Sequence, residues 1–142
     1  IFFESGKLSQ TGKYFVGGLQ KRMAEAAICG SATVNGFRRR QPYTFCPVNN
    51  AWGIDNRTVG IRVIEGSDTS TRVEKRDAGA DCNPYLLIAT DIAAGLDGIK
   101  NKSDFSIKQT SPNKIKIKYF DKFIILKDVY LNNLNSMLTH IP

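Results

Sequence analysis

Histidine is nearly absent: His140, two residues from the end, is the only one in 142 residues. That argues against imidazole general-base catalysis and against a histidine-rich metal site within the chain. The three cysteines, Cys29, Cys46 and Cys82, are odd in number, far apart and never in C-x-x-C spacing. A zinc knuckle or redox pair is therefore not expected, whereas buried, reduced thiols of a cytoplasmic protein are. No run approaches the roughly 18 apolar residues that a membrane span needs. The opening "IFF" is too short and lacks the basic flank of a secretory signal, and the first residue is not Met, as in a fragment or processed piece. What remains is ordinary for one modest globular domain, with 42% hydrophobic and 23% charged residues.

The last third lacks more. From residue 100 to 142 there is no Gly, Ala, Arg or Cys; Asn, Lys and Ile dominate. The formal net charge of +7 is split accordingly. Residues 1–99 hold 12 basic and 10 acidic residues, whereas residues 100–142 hold 8 basic and 3 acidic. All eight arginines lie in the first part and all basic residues of the second are lysine. A uniform nucleic-acid surface is not expected to sort Arg from Lys in this way. The expected division is therefore 1–99 and a divergent tail, 100–142.

Residues 9–29 read as a helix, with Ser9 as N-cap, Gly30 as the stop, and Phe15, Val16, Leu19, Met23, Ala26 and Ala27 on one face. Gly17-Gly18 inside it predicts close packing against another element or a weakened turn. Residues 31–47 read as loop, punctuated by Gly36, Pro42 and Pro47. A short strand is expected over 47–52, a turn over 53–56, a strand over 58–64, a loop over 65–70 and a partner strand over 71–76. Asn83-Pro84 caps a second helix, mostly apolar and expected to be buried, ending at Asp97-Gly98. In the tail, "KIKIKYF" (114–120) alternates as an amphipathic strand does, and the segment after it fits helix or strand.

The segment "TRVEKR" (71–76) repeats charge at every second position. In a strand, Arg72, Glu74 and Arg76 share one face, the two guanidiniums about 13 Å apart. Guanidinium forks match phosphate oxygens, and a carboxylate between them suits a divalent cation that bridges phosphates. Taken alone, an exposed strand with cross-strand charge pairs is the better reading. Seven of the eight arginines, however, lie between residues 38 and 76, on a loop and two strands. That distribution points to one shared polyanionic ligand.

Six pieces now form an ordered series: "LSQTGKYFVGGL", the loop "NGFRRRQPYTFCP", "NAWGIDNRTVGIRV", "TRVEKR", "GADCNPYL" and "AAGLDGI". In order and spacing they resemble the C-terminal part of the catalytic domain of the glutamine synthetase family, over about residues 8–99. The resemblance implies an ATP-dependent glutamate–ammonia or glutamate–amine ligase that forms a γ-glutamyl amide through γ-glutamyl phosphate. It implies ATP as co-substrate, Mg2+ or Mn2+, glutamate and ammonia or an amine as substrates, a homo-oligomer, no membrane and no nucleic acid. Residue by residue, Arg39 matches the arginine that holds the glutamate carboxylate. Arg57 matches one that contacts ATP phosphate and the transferring phosphoryl. Arg62 and Arg72 match nucleotide-side arginines, Glu74 a metal ligand, and Arg76 an arginine facing glutamate and the phosphoryl group.

The implied fold is α+β, an antiparallel sheet that forms part of the family's catalytic barrel and is backed by two main helices. Departures qualify the resemblance. Phe45 stands where ammonia-using members carry a proton-accepting glutamate, and a phenyl ring is no base, so amine substrates or loss of activity follow. Arg40 replaces an aliphatic residue. The family's other metal ligands precede the matched region, so the isolated chain is expected to be inactive. Two other readings stay open: a non-catalytic structural or regulatory relative, and a basic nucleic-acid binder using Arg38, Arg39, Arg40 and the lysine-rich tail.

Overall fold

The computed structural model describes residues 2–41, 44–67 and 69–103. The strand expected over 114–120 and the segment after it lie outside the described residues. The fold is mixed α and β, with elements in the order β1 (Phe3–Glu4), β2 (Lys7–Leu8), α1 (Gln10–Gly30), α2 (Val34–Arg38), β3 (Trp52–Ile54), β4 (Ile61–Ile64), β5 (Arg72–Lys75) and α3 (Pro84–Lys100).

Helix α1 begins where the sequence places it. Ser9 is extended and its hydroxyl accepts the Gly12 amide at 3.1 Å, satisfying one of the helix's first free donors. Val16, Leu19, Met23, Ala26 and Ala27 are buried as one face. Gly30 is the last helical residue, and Ser31 takes the capping position with its amide on the Ala27 carbonyl.

Gly18, the second of the glycine pair in α1, has a physical reason. A Cβ on Gly18 would stand 2.1 Å from the Ala94 carbonyl oxygen and 2.7 Å from Gly98 Cα. Gly98 mirrors it, with the Gly18 backbone 2.6 Å from its own missing Cβ. Helices α1 and α3 thus cross backbone against backbone. That contact also explains why α3 runs through Gly98 to Lys100 rather than stopping at Asp97-Gly98. Asn83 caps α3 by accepting the Tyr85 and Leu86 amides, with Pro84 in the first turn. The helix closes on Lys102 in left-handed backbone (φ 47°), with the Ser103 amide on the Gly98 carbonyl.

The expected burial of α3 is corrected. Only Ala94, Gly95 and Gly98 are buried, while Tyr85, Leu86, Ile88, Ile92 and Leu96 are each at least half exposed. Gly95 and Gly98 meet α1, Leu87 approaches its end at Gly30, and Tyr85, Leu86, Ile88, Ile92 and Leu96 lie on the outer side.

Strand β4 pairs antiparallel with β5, in the register Ile61↔Lys75, Arg62↔Glu74, Val63↔Val73 and Ile64↔Arg72. The sheet is nevertheless not purely antiparallel: β3 runs parallel to β4, Trp52 opposite Ile61 and Ile54 opposite Val63. A three-residue strand rises only about 10 Å, so residues 55–60 suffice to bring the chain back to its start. Asp55 makes the reversal in left-handed backbone (φ 46°), its amide on the Val63 carbonyl.

The strand expected over 47–52 shifts to 52–54. Residues 47–51 are buried without a ladder, because asparagine side chains take the ladder's place. Gln20 and Asn50 exchange side-chain-to-carbonyl bonds at 2.9 and 3.2 Å, and Asn49 accepts the Ala51 amide and donates to the Thr58 carbonyl. The loop expected over 31–47 contains a short helix, α2, which Thr33 caps by accepting the Gly36 amide. The apolar face of the sheet (Ile61, Val63, Trp52) joins Leu8, Val16, Leu19, Met23, Ala27 and Ala94 in one core. Helix α1 lies against the sheet, α3 lies along α1, and the opposite face of β4–β5 is left for polar groups.

Candidate active site

The β4–β5 register decides what the polar face carries. Because Arg62 stands opposite Glu74, and side chains alternate, Arg62, Arg72 and Glu74 share the face away from the core. Glu74 is clasped from both sides: one carboxylate oxygen is 3.1 Å from Arg62 Nη1 and the other 3.2 Å from Arg72 Nε. Arg62 also pairs with Asp55 at the start of the β3–β4 link, and that contact holds the Asp55 carboxyl below its usual range. The Asp55 pair raises the Arg62 guanidinium in turn. Arg72 further donates to the Ser70 carbonyl at 3.1 Å.

Arg76, one residue beyond β5, ties three stretches of backbone together. Its guanidinium donates to the carbonyls of Arg57, Val59 and Phe45, the last two at 3.3 Å. Burial, then the nearby Arg62 and Arg57, lower its pKa from the usual guanidinium value. Arg57 is itself exposed beside this group. Phe45 is 95% exposed, so the ring projects from the loop whose carbonyl Arg76 holds.

Arg39 is half-buried on the adjoining loop, donating to the Ala78 carbonyl at 3.0 Å and the Asp77 carbonyl at 3.4 Å. The Cys46 thiol is pushed up by burial, and it lies within the fields of Arg39, Arg40 and Arg76. It thus marks the join between the loop arginines and the strand arginines.

The structure therefore places Arg62, Arg72 and Glu74 on one face of β4–β5, Arg72 where β5 begins, with Arg76 just past the end of β5 beside Arg57 and with Arg39 on the adjoining loop. It does not gather all seven arginines around one space. Arg40 turns inward, buried against Ser31 and Asp77. Arg38 is exposed and bonds Asn35 within α2. Arg38 thus turns back along its own helix, whereas Arg39 and Arg40 both reach the Asp77 carbonyl. A cleft of about 300 Å³ lies elsewhere, between α1 and α3, lined by Arg22, Glu25, Thr90 and Asp97 among others and by none of these arginines.

Sequence reasoning missed a buried ionic chain beneath the site. Lys75 points to the core face, its ammonium 2.9 Å from Asp77 and 2.9 Å from Asp91 of α3. Burial alone would lower Lys75, but the two carboxylates outweigh it and hold its pKa above the ordinary value. Asp91 is raised by its own burial, because it has one cation where Lys75 has two anions. The signal was present: a lysine on the inward phase of an alternating strand, and an aspartate in the middle of an apolar helix.

Among the described residues, no group of three His, Cys, Asp or Glu side chains forms a metal cage. Glu74 suits a different kind of site, in which one carboxylate supplements phosphate oxygens and water around a Mg2+ ion. Its two oxygens already face arginines, the partners that phosphates would also seek.

The profile described as "Glutamine synthetase, catalytic domain" matches residues 1–118. The chain belongs to the glutamine synthetase catalytic-domain family. A γ-glutamylanilide synthase of Acinetobacter sp is 39% identical over 110 residues, 77% of this chain and 22% of that protein. A glutamate–isopropylamine ligase of Pseudomonas sp is 39% identical over 97 residues, 68% of this chain and 21% of that protein. A glutamine synthetase of Methanosarcina mazei is 41% identical over 98 residues, 69% of this chain and 22% of that protein. The chain thus spans about a fifth of the length of these relatives. Among the described residues, no helix is long and apolar enough to cross a membrane.

Proposed function

We propose that this chain carries the phosphate- and glutamate-facing part of an ATP-dependent glutamate–amine ligase, acting through γ-glutamyl phosphate. The observation that carries the reading is the clasped carboxylate, Glu74 between Arg62 and Arg72 on the polar face of β4–β5, with exposed Arg57 beside Arg76 where β5 ends. Arg57, Arg62 and Arg72 are assigned to ATP phosphates, Glu74 to one Mg2+ or Mn2+ ion, and Arg39 and Arg76 to glutamate. When bound, the ion neutralises phosphate charge. The arginines hold phosphate oxygens in a fixed fork geometry, and that preorganised charge is what phosphoryl transfer requires of a protein. Arg76 is assigned a dual part: three of its donor contacts fix the surrounding loops, and its charge faces the transferring group.

The amine is favoured over ammonia because Phe45 has no proton-accepting atom and presents an exposed apolar ring beside the loop that Arg76 fixes. In the same reading, the mixed sheet is one part of a larger barrel, the full-length protein is a cytoplasmic homo-oligomer, and residues 100–142 form a divergent tail. A non-catalytic role has one observation in its favour: Arg39 and Arg76 are both engaged by backbone carbonyls.

Calorimetric titration with Mg-ATP, followed by incubation with glutamate and isopropylamine, tests the reading. The chain is expected to bind Mg-ATP without forming amide, since Glu74 alone does not assemble a pair of metal ions. The Arg57→Ala variant is expected to bind about tenfold more weakly, one charge-assisted phosphate contact being lost. The Arg57 side chain is exposed, so the fold survives its removal. No Mg-ATP binding by the unaltered chain, or equal binding by the variant, contradicts the proposal.

A further inference from the structure

Asp77 is a fully buried charged residue that the proposed reaction does not use. It follows Arg76 directly and binds outward in two directions. One carboxylate oxygen is 2.9 Å from Lys75 Nζ; the other is 3.4 Å from Arg40 Nη2. Its carbonyl oxygen accepts from Arg40 at 3.2 Å and from Arg39 at 3.4 Å. The next carbonyl, of Ala78, accepts from Arg39 at 3.0 Å. The Gly79 amide then bonds the Gly30 carbonyl at the end of α1, and a Cβ on Gly79 would stand 3.1 Å from Arg39 Nη1. Arg40 has a second anchor in Ser31 Oγ at 3.1 Å, and Lys75 a second carboxylate in Asp91.

We infer that Asp77 is a positioning residue: it clamps the loop arginines Arg39 and Arg40 to the end of β5, and so sets Arg39 beside the strand that presents Glu74 and Arg76. Arg39 leaves the short helix α2 as its C-cap, and among the described residues between there and β3 no helix or strand holds it. Two cations, Arg40 and Lys75, converge on one buried carboxylate, so loss of the Asp77 carboxylate takes an ionic partner from each. The carbonyls of 77 and 78 are fixed by the same clamp, and they are the groups that aim the Arg39 fork. The assignment of Arg39 to the glutamate carboxylate rests on the proposed function; the clamp itself does not.

The test uses the full chain and Asp77→Asn, with two readouts. In 15N NMR of the guanidinium groups, exchange of the Arg39 Nη protons is expected to quicken about tenfold in the variant, while Arg62, held by Asp55 and Glu74, is unchanged. By calorimetry, affinity for L-glutamate is expected to weaken about tenfold while Mg-ATP stays within about twofold. Unchanged Arg39 signals, or equal losses for both ligands, would overturn the inference; a purely structural role moves both ligands together. Should Asp77→Asn fail to fold, the double variant Lys75→Met/Asp91→Asn decides, since it keeps the Asp77–Arg40 pair. Arg39 restrained in that variant supports the clamp, and Arg39 released refutes it. If the unaltered chain binds neither ligand, the functional reading fails and the NMR arm alone judges the clamp.

Discussion

Replacing Lys75 by methionine is expected to cost about 3–5 kcal/mol, the loss that follows when one partner of a buried ion pair is removed and the other is stranded. The side chain is nearly enclosed, and its ammonium is shared between Asp77 and Asp91. Asp77 would keep only Arg40, at 3.4 Å, and Asp91 would lose its cation. Adding Asp91→Asn to Lys75→Met removes the stranded charge, and the double variant is expected to recover most of the loss. Urea unfolding of the four proteins in the cycle gives the coupling directly. The same proteins test the pH dependence. Lys75 is raised in the folded state, so its contribution is complete below its unfolded value of about 10.4 and is lost as pH rises through the higher folded value. The stability difference between the unaltered chain and Lys75→Met is therefore expected to be flat near neutrality and to shrink in strong alkali. Single and double variants of equal stability would contradict the burial of this pair.

Gly18→Ala is expected to destabilise by about 3 kcal/mol, the upper part of the range for overpacking a core. A methyl group elsewhere in a helix favours it over glycine by up to about 1 kcal/mol, so the sign of this prediction depends on the crossing with α3. The atoms it would meet, Ala94 O and Gly98 Cα, are backbone and have no rotamer through which to yield. The two helices must move apart, and the core around Ala94 and Val16 opens with them. A shift of that size is a large share of the 5–15 kcal/mol typical of a folded domain. A thermal midpoint unchanged or raised in Gly18→Ala would show that α1 and α3 do not cross at these residues.

Local signals were readable where one residue type has one use. Ser9, and Asn83 with Pro84, announced helix starts because capping chemistry is local. The β-branched run before residue 65 and the alternating charges after residue 70 announced β4 and β5. The placement of Arg62, Arg72 and Glu74 on one face followed from the two-residue period alone.

What was not readable depends on distant neighbours. The turn at Asp55 was signalled, but the parallel pairing of β3 with β4 that follows it was not. Helix α3 looked buried because its composition is apolar, yet it crosses α1 at Ala94 and Gly98 and leaves most of its large side chains outside. Arg40 looked like one more ligand-facing cation until Asp77, 37 residues away, was found beneath it. Lys75 drew no reading of its own, because its partner Asp91 lies 16 residues further on, in another element.

The account rests on Glu74 and its flanking arginines forming a seat for a metal–nucleotide complex. Electron paramagnetic resonance of Mn2+ tests that most directly, since the free-ion signal falls as the ion binds. A lone carboxylate pairs poorly with a bare ion, so the chain is expected to take up Mn2+ with ATP and little without it. The Glu74→Gln variant is expected to bind Mn-ATP about tenfold more weakly. Uptake of Mn-ATP that is absent in the unaltered chain, or identical in Glu74→Gln, would contradict the account.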